Sequence, residues 1–142
     1  MKKILKTSAS ILLCVIILLS FAGCKNEANL EGLWENATYT ADTIIGSGKT
    51  TLIVKVTANE NSVVFTLKTD KETVGDALLE NNLIEGDESE YGLYVKKVNG
   101  IVADYDVDQS YWAFYIDGDY AMTGVDSTEI AEEVEYELVY TK

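Results

Sequence analysis

At 142 residues the chain has room for one domain with one core and is too short for two. Its 24 acidic residues against 11 basic ones give a formal net charge of −13, a field that repels nucleic acid and anionic lipid head groups and favours cations or basic surfaces. His is absent and every basic side chain is Lys, which removes the usual zinc and copper ligand sets, the Ser-His and Cys-His nucleophile pairs and the guanidinium clamp on phosphates.

Lys2, Lys3 and Lys6 open the chain, residues 11–21 are almost unbroken apolar sequence, and Phe21-Ala22-Gly23-Cys24 closes the segment. This is the pattern of a lipoprotein signal: residues 1–23 form the leader, Cys24 takes the lipid, and the mature protein is held at a membrane facing outside the cytoplasm. An uncleaved span needs about twenty apolar residues; this run is shorter and ends in small residues. Cys14 leaves with the leader and Cys24 is lipidated, so the folded part has no thiol and no disulfide. Three lysines leave as well while all acidic residues stay, which takes the net charge to −16 over the remaining 119 residues. Residues 24–33 comprise the lipidated cysteine and a short polar tether, and residues 34–142 form the domain.

Residues 51–57 alternate, with Leu52, Val54 and Val56 on one face, and Val63, Phe65 and Leu67 repeat the pattern after Asn59-Glu60-Asn61-Ser62. A β-hairpin follows from that. Thr73-Val74-Gly75-Asp76 has the form of a capping box before Ala77, Leu78, Leu79 and Leu83, whose spacing predicts one short amphipathic helix. Gly75 in its first turn costs up to about 1 kcal/mol relative to Ala, so packing must hold this helix. Glu85-Gly86-Asp87-Glu88-Ser89-Glu90 reads as a solvated acidic loop.

Extended patterning then returns. Asn99-Gly100 and Asp117-Gly118 each suit a two-residue hairpin turn with positive φ. The last strand places Val134, Tyr136, Leu138 and Tyr140 on one face and Glu135 and Glu137 on the other. Hairpin, helix and further strands describe an α+β domain, mainly β-sheet with one packed helix, in an order compatible with a β-grasp.

Two motifs invite stronger readings and do not support them. Gly46-Ser47-Gly48-Lys49-Thr50 echoes a phosphate loop, but Thr43 stands where the first glycine belongs and a strand follows. Asp104-Tyr105-Asp106-Val107-Asp108 begins like a calcium loop, yet Gln109 replaces the turn glycine and Tyr115 the closing glutamate. Strand alternation would set its three aspartates on one solvated face.

Several segments together resemble the transcobalamin-like C-terminal domain family: Thr73-Val74-Gly75-Asp76-Ala77-Leu78-Leu79, Tyr91-Gly92-Leu93-Tyr94-Val95 with Val98-Asn99-Gly100, Tyr111-Trp112-Ala113-Phe114-Tyr115-Ile116-Asp117-Gly118, Gly124, and the closing Tyr136-Glu137-Leu138-Val139-Tyr140. The likeness covers residues 34–142. It implies a bacterial surface lipoprotein with a soluble-ligand-binding β-grasp, cobalamin or a related corrinoid being the precedent. In the eukaryotic carriers of that family a large helical domain holds the ligand's other face, and this chain has none. One-sided burial leaves a corrinoid wet, so a transporter or second binding protein is expected to supply the other wall.

The aromatic block is the best candidate surface. Trp112, Phe114 and Ile116 share one strand face and Tyr111, Ala113 and Tyr115 the other, and one of the sets must be core. The candidate ligand-binding residues are Tyr111, Trp112, Tyr115, Asp117 and Gly118, with no catalytic residue and no metal ligand. Two function classes are left: a lipid-anchored binder of a small molecule, and a surface protein-protein interaction module without one. No enzyme activity is expected.

Overall fold

The computed structural model describes residues 31–142; the leader, Cys24 and the tether up to residue 30 lie outside the described residues. A 3-10 turn at Gly32–Asn36 carries Trp34, which is buried and donates its indole N–H to the Ala58 carbonyl at 2.8 Å. Gly32 and Leu33, read from sequence as the end of the tether, therefore sit in ordered structure, and Leu33 packs on the core.

Strands β1 (Thr43–Gly46), β2 (Thr50–Ala58) and β3 (Asn61–Thr69) come first, then helix α1 (Val74–Glu80). The hairpin is the expected one. Leu52, Val54 and Val56 pair directly with Leu67, Phe65 and Val63, and all six are buried. Asn59, at φ 54°, opens the tight turn between them. Thr73 caps α1 by accepting from the Asp76 N–H at 3.2 Å. Val74, Ala77 and Leu78 face the core, whereas Leu79, expected on that face, is 40% exposed. Gly75 is explained by proximity: a Cβ there would lie 2.8 Å from the backbone of Asp126, so a side chain would push off the segment that packs on the helix.

Strands β4 (Ile84–Ser89), β5 (Gly92–Val98) and β6 (Ile101–Val102) form a separate three-stranded sheet in the order β4-β5-β6. Here the acidic run corrects the sequence reading: residues 85–89 are an edge strand, not a loop. Its carboxylates stay exposed and find lysines on β5, Glu85 with Lys97 at 3.3 Å and Asp87 with Lys96 at 2.7 Å. Cross-strand charge pairing of this kind supports a strand that lacks apolar alternation. The register slips between Glu85 and Gly86, which leaves Lys96 as the extra residue of a bulge.

Residues 104–108 give a second correction. They form a single helical turn, α2 (Tyr105–Asp108), instead of a strand with three aspartates aligned. Asp104 caps it by accepting from the Asp106 N–H at 3.1 Å, and Asp108 accepts from Ser110, so these short side chains bond their own backbone in preference to a ladder. Bonds from Ser110 hold the Asp108 carboxyl below its usual range.

Strands β7 (Tyr111–Ile116) and β8 (Asp119–Tyr120), a 3-10 turn at Val125–Ser127 and β9 (Glu135–Thr141) complete the chain. The main sheet runs β1-β3-β2-β9-β7-β8, with β9 parallel to β2 at its centre and α1 crossing over between the two hairpins. This is the α+β, β-grasp-like architecture expected, extended by β1 as an extra edge strand lying parallel to β3. The core lies on one face, with Phe65, Tyr136, Leu138, Trp112 and Phe114 from the sheet against α1. Among the described residues no helix is long and apolar enough to cross a membrane.

Candidate functional site

The pairing of β7 with β9 decides which aromatic set is core. Trp112 stands opposite Tyr140 and Phe114 opposite Leu138, both pointing inward, while Tyr111, Ala113 and Tyr115 stand opposite Thr141, Val139 and Glu137 on the outer face. Trp112 is 7% exposed and meets Tyr140 edge to face at 5.7 Å. Its indole N–H has no hydrogen-bond partner among the described residues. Phe114 stacks on Tyr136, whose hydroxyl accepts from the Ala131 N–H at 2.9 Å.

Tyr111 and Tyr115 are half-buried on the outer face. Asp117 and Gly118 form the β7–β8 turn at φ 48° and 84°, and both are exposed. Asp117 is also structural: its carboxylate accepts from the Glu135 N–H at 2.9 Å and its N–H donates to the Glu135 carbonyl at 2.8 Å, pinning the turn to β9. The structure thus brings Tyr111, Tyr115, Asp117 and Gly118 to one face and turn, and places Trp112 beneath them.

Sequence reasoning missed Tyr120. It pairs with Tyr115 across the turn, their rings edge to face at 5.6 Å, and it is 59% exposed. The signal was available: a two-residue Asp117-Gly118 turn sets Ile116 against Asp119 and so Tyr115 against Tyr120. Beside them, Glu137 pairs with Lys55 at 3.5 Å, which neutralises the neighbouring carboxylate. Ile53, Val64 and Val139 continue the outer face, half-buried.

Of the clefts elsewhere among the described residues, two share Ser89 of β4. One, of about 190 Å³, runs between α1, the β4–β5 hairpin and the Val125–Ser127 turn. Its wall includes Asp126, which sequence reasoning did not single out. One Asp126 oxygen accepts from the Leu93 N–H at 3.1 Å, and the other is buried without a partner among the described residues. A Cβ on Gly92 would stand 2.7 Å from the bonded oxygen, so this carboxylate fits only beside a glycine. The other cleft, of about 380 Å³, separates β5 from α2 and is walled by Tyr94, Lys96, Tyr105 and Asp106 among others. Asp87 holds the Lys96 ammonium above its usual range through a hydrogen bond and its charge. Among the described residues no group of three or more acidic side chains is spaced to hold a metal ion.

A family model described as a domain of unknown function, DUF4430, matches residues 71–142, from just before α1 to the end of the chain. Among solved structures, a protein from Ruminococcus gnavus ATCC 29149 with a provisional metal-binding description superposes with a TM-score of 0.62 at 28% identity. That match covers 66% of this chain and 98% of the other. Haptocorrin in complex with Cbi matches with a TM-score of 0.51 at 18% identity, over 66% of this chain and 25% of haptocorrin. The chain therefore spans about a quarter of haptocorrin, and at that identity the likeness is one of fold. No curated protein matches significantly.

Proposed function

The chain belongs to the DUF4430 family, and from that footing we propose that it is a membrane-anchored, extracytoplasmic binding domain for a small molecule. The observation that carries this reading is the pairing of half-buried Tyr115 with exposed Tyr120 at the tip of β7 and β8, on a sheet face that shows half-buried aromatic and aliphatic side chains. Tyrosines so placed offer apolar contact with hydroxyls at the rim. Tyr111 extends the surface along β7, the Asp117-Gly118 turn borders it, and Trp112 supports it from the core side.

A corrinoid is the specific ligand proposed. The fold shared with haptocorrin, a protein seen in complex with Cbi, supports it, as does the resemblance to transcobalamin-like C-terminal domains. A single sheet face covers one side of such a molecule, so affinity is modest until a transporter or second binding protein supplies the other wall.

Calorimetry with cobalamin tests the site. Changing Tyr115 and Tyr120 to Ala together is expected to abolish the binding heat while leaving the domain folded, the lost edge-to-face contact costing about 0.5 to 1.5 kcal/mol beyond the area it buries. Corrinoid binding that survives the double change would place the site elsewhere.

Anchoring rests on Cys24, the proposed point of lipid attachment through its sulfur and amine. Cys24→Ala is expected to release the domain to the medium or leave it unprocessed, with the fold intact. Detergent partitioning reads the outcome, and a processed Cys24→Ala protein retained in the membrane overturns the lipoprotein reading.

The alternative, a protein-docking module, is favoured by Ile44 on edge strand β1, 72% exposed on the same outer face. Under it, a partner protein co-purifies and loss of Ile44 releases it, with no small-molecule heat.

A further inference from the structure

We propose that the cleft between β5 and α2 is a second binding site, one that takes a small organic cation with an apolar body. It lies on the three-stranded sheet and shares no residue with the Tyr115 surface. The fold builds it in two steps. Strand alternation sets Lys96 on the side of Tyr94 and Asp87, and the Ala103 N–H, bonded to the Lys96 carbonyl at 2.8 Å, brings α2 over the strand. Tyr105 and Asp106 then face Tyr94 across a space of about 380 Å³. That size is at the small end for ligand pockets.

Three features choose the ligand class. First, Tyr94 and Tyr105 are 41% and 54% exposed and both line the cleft, so two aromatic rings are accessible there. Open rings of this kind attract cations. Second, the cleft already holds one cation: the Lys96 ammonium sits 6.0 Å from the Tyr94 ring centre and 2.7 Å from the Asp87 carboxylate. Third, Lys96 cancels only Asp87, leaving Asp104 and Asp106 in surplus within a chain of net charge −13. An anion is repelled by that surplus, and a neutral polyol gains nothing from it.

Titration calorimetry on the full-length chain in neutral detergent micelles provides the test, with choline, the bulkier benzyltrimethylammonium, and the uncharged carbon isostere of choline as probes. The cations are expected to bind at about millimolar affinity, the isostere about tenfold more weakly, and binding should fall with added salt. Tyr105→Ala should weaken binding by about threefold or more while Tyr105→Phe keeps it, because the ring face makes the contact. Lys96→Met should strengthen it by freeing Asp87 and the Tyr94 ring. Circular dichroism confirms that each variant is folded. Equal heats from choline and its isostere, or unchanged binding in Tyr105→Ala, overturn the proposal; preference for a basic peptide over the small cations reassigns the cleft to a protein and overturns it too. Corrinoid binding should be indifferent to these variants, so failure here is separable from failure of the Tyr115 surface.

Discussion

Trp112→Ala is expected to lower stability by about 3 to 5 kcal/mol, a large part of the margin of a typical domain. The indole is buried between β7 and β9 against Tyr140, and truncation leaves a cavity that the sheet cannot close without breaking register. Its N–H meets no acceptor among the described residues, so the cost is expected to be one of packing. That yields a control: Trp112→Phe keeps most of the volume and discards an unpaired donor, so it should be far milder than Trp112→Ala. Denaturant titration followed by fluorescence measures both. The chain's two tryptophans, Trp34 and Trp112, are both buried and will report unfolding by a red shift. A Trp112→Ala protein melting within a few degrees of the parent would mean the side chain is a surface contact.

Asn99→Ala is expected to cost a comparable amount for a different reason. Asn99 is fully buried, and its side-chain amide accepts from the Tyr39 N–H at 2.9 Å and donates to the Tyr39 carbonyl at 2.8 Å, as a neighbouring strand would. Its backbone carbonyl accepts from the Thr38 N–H and its N–H donates to Leu83, so one residue fastens the N-terminal segment to both β5 and the end of α1. Removing the amide leaves two backbone groups unpaired at about 1 to 3 kcal/mol each. Alanine also fits poorly at the φ of 50° found there. Hydrogen exchange at Thr38 and Tyr39 should rise well before the rest of the sheet. Asn99→Gly separates the two causes, since it relieves the φ conflict and still loses the bonds. Protection at Tyr39 unchanged in Asn99→Ala would show that the clasp carries no weight.

What could be read in advance followed from local periodicity. Leu52, Val54 and Val56 facing Val63, Phe65 and Leu67, the Thr73 cap, and the glycine turns at 100 and 118 all have causes within a few residues of their effects. Strand β4 was hidden because an exposed edge strand paired through Glu85 and Asp87 has no apolar alternation to show. Residues 104–108 were misread because capping by Asp104 overrides a period-two pattern. At the site, alternation separated Tyr111 and Tyr115 from Trp112 but left open which set was core; only the partner strand β9 decides that. Asp126 and the Asn99–Tyr39 clasp depend on residues brought together from 33 and 60 positions away, which no local pattern encodes.

The Trp34 bond to Ala58 also sets a heading for the molecule. Ala58 ends β2, and at that end lie the start of β3 at Asn61 and, across β9, the start of β7 at Tyr111. The chain therefore enters the domain at one pole, while β7 carries its six residues, roughly 20 Å, toward the opposite pole, where Asp117-Gly118 turns back. Under the proposed lipidation of Cys24, the seven residues 25–31 of the sequence could span at most about 25 Å even fully extended, which would keep the Trp34 pole near the bilayer. On the proposed anchoring, Tyr115 and Tyr120 ride outboard, the part of the protein that a molecule arriving from outside would meet first, and a partner taking the proposed ligand from the domain would have to reach over the top of it or catch it as it tips.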